Sequence, residues 1–422
     1  MNTMPQPLCK TPASEPRGIE VPGENPLRKV PGRNYRTTET WAGCRLDVRA
    51  TERESFTEYH LTGTLDGSGD PGVTADTLLA QVATKVAERG IQPIQEKLYG
   101  LPRIRADILK RREAQYRRQE LDLSVPVTWI VGTPLREGDF VGLQVWGIVP
   151  RGAGTSVTTV ENPVTGRGRL LAGRGFRMLH LPFIRGTNQA GALVGDAAAQ
   201  ADQMFTNVGL GLRAHGMEYR NVVRIWIYLS RLLEWYGEFN RVRTAHYKPA
   251  GLGVEGGVAF PASTGIQCHH DDEECLMDVL ALVSDGPKNA AAIPINHSPR
   301  QDQSFKYGSA FSRGMAIEIE GTRTVHISGT ASIDAAGASI HVGDAEMQSL
   351  ETLMCIAAIL EEQGGSLENI ASSTLFCKDH VAWDAWNRVT RLLKVPAFPK
   401  VCVQADVCRA DLLVEMEAIA VI

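Results

Sequence analysis

Apolar residues recur along this chain at two periods, and the switch between them divides it into three runs of one order. The last run is the plainest. Ala310 to Ile319 and Thr322 to Gly329 alternate as two paired strands. Ala345 to Gln363 carries Met347, Leu350, Met354, Ile356, Ala357 and Leu360 at helical spacing, and Gly364-Gly365 is the residue type a left-handed helix cap needs. A strand follows at Ile370 to Cys377, then a helix at Val381 to Leu393. From Pro399 two closing strands form a hairpin, the first around Val401 and Val403 and the second over Leu413 to Ile419, turning at Asp406 to Asp411.

The middle run repeats this. Gly195-Asp196 with Gln200, and then Gly216, keep the spacing of Gly343-Asp344 with Gln348, and then Gly364. Phe239-Asn240-Arg241 answers Trp386-Asn387-Arg388, Phe260-Pro261 answers Phe398-Pro399, and Met277 to Ala281 answers Met416 to Ala420. The first run keeps only order and length: strand Thr57 to Gly63, helix Thr74 to Arg89 closed by Gly90, strand Ile94 to Tyr99, helix Arg103 to Gln119, strands Val127 to Val131 and Val141 to Val149. The pattern therefore predicts an α+β fold of three tandem modules over 39–150, 151–287 and 288–422, each with two helices on a sheet of four to six strands. Residues 1–38, rich in Pro, Gly, Lys and Arg and without periodicity, read as a disordered tail.

Repetition lets the modules vote on chemistry. Glu415 lies on the closing strand between Val414 and Met416, where a buried carboxylate costs several kcal/mol unless it is paired or protonated. The middle module has Leu276 in its place, Ala262 in place of Lys400 and Thr264 in place of Cys402. A carboxylate needed for the fold would recur. One confined to the last module is a candidate working residue.

Charge and composition exclude several partners. Over 422 residues the net charge is −4, which argues against nucleic acid or an anionic membrane as partner. No apolar run is long enough to span a bilayer, and the N-terminus lacks the pattern of a secretory signal. The eight cysteines form no disulfide framework, so a reducing, cytoplasmic setting is expected. Cys268 to Cys275 has metal-ligand residue types, but adjacent ligands on a hairpin tip converge poorly on one ion. Gly166 to Gly175 lacks the spacing of a nucleotide cradle, and Lys110 to Arg118 reads as a solvated helix face. No metal or cofactor is expected.

The last module resembles the RidA/YjgF family, small trimeric proteins of chorismate-mutase-like α+β fold. Tyr307, Ser328-Gly329, Gln348, Asn387, Pro399, Cys402 and the run Val414 to Ala420 carry the likeness. Lys400 departs from it, standing where deaminating members have an arginine. A closer resemblance is to the chorismatases, FkbO-like chorismate-hydrolysing enzymes built on RidA-like units. It runs from about Leu46 to the C-terminus, through Arg231 to Arg243, Pro261 to Ile266, Ser298 to Gln301, Tyr307 to Arg313, Ile327 to Ile333 and Ala405 to Cys408.

That resemblance implies cleavage of the enolpyruvyl ether of chorismate, releasing pyruvate with a hydroxybenzoate (3-hydroxybenzoate favoured) or a dihydroxycyclohexadiene carboxylate. Protonating the vinyl carbon needs a general acid with a raised pKa, and Glu415 fits, with Val414 and Met416 helping to supply an apolar setting. Two substrate carboxylates need cations, for which arginine forks suit best. Arg313, Arg300 and Arg243 lie in the matching motifs, with Tyr307, Lys400 and Cys402 beside them. Arg313, on a small and apolar strand, is the leading candidate, whereas Arg243 also suits a helix-end salt bridge. In this family the residue at Cys408 accompanies the product type. Three fused modules imply a monomer that imitates a trimer, with the pocket between the second and third modules. The alternative is a RidA-like imine deaminase or a non-enzymatic small-ligand-binding regulator.

Overall fold

A computed structural model of the chain describes residues 34–422 except 163, 255–256 and 269–272, together with the backbone but not the side chain of Tyr307. Most of the segment considered as a tail, and the histidines and aspartates at 269–272 considered for metal, lie outside the described residues.

The first module comprises β1 (Asn34–Trp41), β2 (Cys44–Glu52), β3 (Phe56–Leu65), α1 (Pro71–Arg89), β4 (Gln92–Gly100), α2 (Arg105–Arg118), β5 (Val127–Val131), β6 (Thr133–Pro134) and β7 (Phe140–Pro150). Residues 34–38, expected as tail, are therefore strand: β1 pairs with β2 from Asn34 onward. The second has β8 (Ser156–Asn162), β9 (Gly166–Gly173), β10 (Phe176–Arg185), α3 (Ala197–Ala214), β11 (Val222–Leu229), α4 (Leu232–Tyr247), β12 (Ala262–Gln267) and β13 (Cys275–Ser284). The third has β14 (Ala290–Ile295), β15 (Gly314–Ile319), β16 (Thr322–Ala331), α5 (Ala345–Glu362), β17 (Ile370–Cys377), α6 (His380–Leu392), β18 (Val401–Gln404) and β19 (Val414–Val421).

Asp70, Asp196 and Asp344 each cap the first helix of a module by accepting from a backbone N–H three residues on. Past α1 and α5, Gly90 and Gly364 take positive φ of 65° and 82°, which glycine adopts without a Cβ penalty.

The three sheets share one topology: β1-β2-β3-β7-β4-β5, β8-β9-β10-β13-β11-β12 and β14-β15-β16-β19-β17-β18, with β6 of the first module added beyond β18. The faint first repeat is thus a true copy. The closing strands are not the hairpin the sequence led us to expect. A helical crossover places β18 parallel to β17 on one edge, and β19 pairs antiparallel on the other, so β17 separates them.

Each closing strand divides its side chains by parity. Val414, Met416, Ala418 and Ala420 pack under α5 and α6, as Met277, Val279 and Ala281 pack under α3 and α4. The other faces meet in the middle, where Trp146, Leu276, Leu280, Trp226, Met315 and Phe376 belong to one core shared by all three modules. Helices lie outside and sheets inside. No helix among the described residues is long and apolar enough to cross a membrane.

Candidate active site

Glu415 sits in the middle of the third sheet, opposite Ala331 of β16 and Phe376 of β17, and its side chain takes the inner face. It is 4% exposed. Burial raises its carboxyl pKa to about 8, the nearby Glu417 adds to this, and the Arg224 guanidinium offsets part of it. Val414 and Met416 do not supply the apolar setting, because alternation sends them into the core beneath the helices. That setting comes from Phe311, Ala331, Ile333 and Cys408 of its own module, with Tyr236 from across the module boundary.

The register of β16 against β19 shifts between Ile327 and Thr330, a bulge that contains Gly329. A Cβ at Gly329 would lie 2.0 Å from Glu415 Oε1, so the carboxyl rests on bare backbone. The Gly329 amide donates to Thr264 Oγ1 at 3.0 Å, and Ser328 Oγ accepts from the Ser263 amide at 2.9 Å. These bonds hold β12 of the second module against the bulge.

The resulting pocket lies between the second and third modules. Tyr236 and Arg243 of α4 with Ser263 and Gly265 of β12 form one wall; Ser309, Phe311, Arg313, Ile333, Cys408, Arg409 and Glu415 form the other. Its empty space, mouth included, is about 560 Å³.

Three guanidiniums face this space. Arg243 is 1% exposed; its Nη2 donates to Asn240 Oδ1 at 2.6 Å, while its buried Nε has no hydrogen-bond partner among the described residues. Among the described residues it makes no helix-end salt bridge, the role also considered for it, because α4 turns it inward against the third module. Arg313 is 2% exposed and gives Nε and Nη2 to the Asp302 carbonyl at 2.9 and 2.7 Å, which fixes its plane. Arg409 donates Nη1 to the Gly337 carbonyl at 2.7 Å. The Cys408 thiol, pushed up to about 12 by burial and then by Glu415, is neutral, and burial likewise raises the Tyr236 hydroxyl to about 12.

Behind Glu415, Glu417 accepts from Arg224 Nη2 at 2.6 Å and lies 3.8 Å from Lys97 Nζ. Lys97 stands 4.0 Å over the Trp226 ring, and burial lowers its ammonium pKa to about 8. The Glu415 carboxyl is therefore backed by groups from all three modules.

The remaining residues named from sequence fall elsewhere. Arg300 forms a two-pronged pair with Glu351 of α5 at 3.0 and 2.7 Å and does not line the pocket. Lys400 and Cys402 line a different cavity, between the third and first modules. The reason is geometric: β18 lies on the opposite edge of β17 from β19, and Lys400 faces the neighbour on that side. Tyr307 ends a short 3₁₀ turn, Ser304–Tyr307, and its side chain is outside the description. Tyr236, Ser263, Gly265, Phe311 and Arg409 had no role assigned from sequence. Most lie in the stretches carrying the chorismatase resemblance, but nothing in the chain told which of those side chains turn inward.

Residues 305–422 match the profile of the family described as endoribonuclease L-PSP. The 3-aminoacrylate deaminase RutC of Acinetobacter baylyi is 32% identical over 97 residues, 23% of this chain and 77% of the relative. Among solved structures, a chorismatase superposes with a TM-score of 0.55 at 18% identity, covering 87% of this chain and all of that one. The YjgF gene product of E. coli aligns at 17% identity over 29% of this chain and 97% of its own, with a TM-score of 0.25.

Proposed function

This chain belongs to the endoribonuclease L-PSP family, and from that premise we propose that it is a chorismatase with its active site between the second and third modules. The observation that carries this reading is one protonated carboxyl, Glu415, facing Arg243, Arg313 and Arg409 in a single pocket. A neutral acid can give a proton, and buried arginines can hold the two carboxylates of chorismate.

In the reaction Glu415 protonates the terminal vinyl carbon of the enolpyruvyl group, leaving an oxocarbenium ion at the ether-bearing carbon. Capture by water gives a hemiketal that collapses to pyruvate and the dihydroxycyclohexadiene carboxylate, consuming one water. Capture of the ring carbon by its own neighbouring hydroxyl expels pyruvate and leads to 3-hydroxybenzoate with no net water. Either way the carboxylate of Glu415 must recover a proton for the next turnover. Cys408, beside it, is the residue we assign to the choice between the two routes.

The relative named as a deaminase supports a second reading, imine deamination. Against it, the cation at Lys400 and the acid at Glu415 line separate cavities here. Incubation of the purified protein with chorismate should release pyruvate, read by coupling to lactate dehydrogenase. Absence of pyruvate, with ammonia released from an enamine such as 2-aminoacrylate, would replace the first reading by the second.

A further inference from the structure

The module that contributes Glu415 to one interface contributes its β18 and α6 face to another, against the first module. The repeat makes the two interfaces equivalent. Tyr236 of α4 lines the Glu415 pocket, and Trp383, its counterpart in α6, lines the second cavity. Lys400 stands where the second module has Ser263, one residue on from the Ala262 expected from sequence, because Val401 pairs with Thr374 as Thr264 pairs with Trp226. On the facing strand β7, Gly142 opposite Tyr99 of β4 takes the position that Glu415 holds opposite Phe376. The second cavity has thus gained a cation and lacks the acid. Its empty space, mouth included, is about 1160 Å³.

We infer that this cavity is a second small-molecule site, taking a planar aromatic monocarboxylate of about benzoate size, which it binds without transforming. Trp41, Phe140, Trp383 and Phe398 supply aromatic walls, between which a flat ring can stack. Lys400 Nζ lies 5.5 Å from the Phe398 ring centroid, and among the described residues no carboxylate is at ion-pair distance from it. The other cations are engaged. Arg45 is held by Asp47 at 2.8 Å, and Arg136 lies 5.5 Å over Trp383 with its Nη1 on the Asp66 carbonyl at 3.0 Å. Asp66 and Glu137, also lining the space, repel a second carboxylate. The wall is built into the fold, since Pro134 and Thr133 of β6 pair with Val403 and Gln404 of β18. With Gly142 in the acid's place, no counterpart of Glu415 acts on the ligand.

The test uses the whole chain and 4-bromobenzoate. Crystals of wild type and of Glu415→Gln soaked in it should both show a bromine anomalous peak between Lys400 and Trp383. In solution, quenching of tryptophan fluorescence should saturate, with affinity at least tenfold weaker in Lys400→Met, restored in Lys400→Arg and unchanged in Glu415→Gln. Because binding is read without turnover, failure of chorismate cleavage leaves this test intact. Bromine only in the Glu415 pocket, or at neither site, or equal affinity in Lys400→Met, would overturn the inference.

Discussion

A carboxylic acid that delivers protons near neutrality must keep its proton there, and burial lets Glu415 do so with a pKa raised to about 8. The sign is set by the acid form being the active one. Pyruvate release should hold from pH 6 to 7 and fall as pH rises through about 8, tenfold per unit once the carboxyl is ionised. Glu415→Gln should lose about 10²–10⁴-fold in rate and also lose this alkaline limb. A rate within a few-fold of wild type, or a limb that persists, would place the proton donor elsewhere. Linkage gives the same residue a stability signature. Its contribution is full below its ordinary pKa of 4.5 and is lost as pH rises through about 8, so Glu415→Gln should flatten the decline of stability over that interval. Cys408 is a neutral thiol beside this carboxyl, and in the proposed reaction its part is shape and weak donation rather than nucleophilic attack. Cys408→Ala makes room for a water, so the dihydroxylated diene should gain on 3-hydroxybenzoate at equal chorismate turnover. A barrier difference of about 1.4 kcal/mol shifts that ratio tenfold. Chromatography of the products reads it, and an unchanged ratio would leave Cys408 as core filling.

One element decides whether the carboxyl has room: the bulge in β16. The register shift around Gly329 brings bare backbone against Glu415 Oε1, and β10 of the second module bulges likewise, between Leu181 and Ile184. In the second module Leu276 fills the position of Glu415, and the bulge there gives its Phe183 amide to Asp278 Oδ1 at 2.8 Å instead. Gly329→Ala should therefore displace the Glu415 side chain rather than unfold the strand. Pyruvate release should drop at least tenfold while the melting temperature stays within a few degrees of wild type. Loss of folding instead would show that the bulge serves the sheet and not the site.

Across the whole molecule, the inner faces of three sheets close on one another, and the few charges caught between them come from different modules. Arg224 of β11 and Glu417 of β19 are 2% and 7% exposed, and their pair at 2.6 Å joins the second module to the third. Lys97 reaches the same carboxylate from the first. Removing one member of a buried pair strands the other, at roughly 3–5 kcal/mol. Arg224→Met should accordingly lower stability to urea by that order, and the double substitution Arg224→Met with Glu417→Met should recover much of it. Equal losses in the single and double variants would show the pair to be idle. Three modules that cover each other's faces need no second chain, so light scattering should give one chain of 46.0 kDa. A mass of two or more chains would mean that a further face is buried.

What the chain determines by itself is whatever local periodicity and repetition encode. The helices, their aspartate and glycine caps, the three modules and the singular position of Glu415 follow from side-chain spacing and from comparing one repeat with the next, since both are properties of sequence order. Tertiary structure alone decided which neighbour each strand edge meets. Glu415 and Lys400 are close in sequence, yet β17 lies between their strands and they serve different interfaces. Arg300 sits in a motif, but a partner distant in sequence, Glu351, claims it. Arg243 and Tyr236 look like exposed positions on an amphipathic helix until a second module covers them. Contacts between modules rest on surfaces that are polar in sequence and buried only in the assembly, and such burial leaves no periodic trace along the chain.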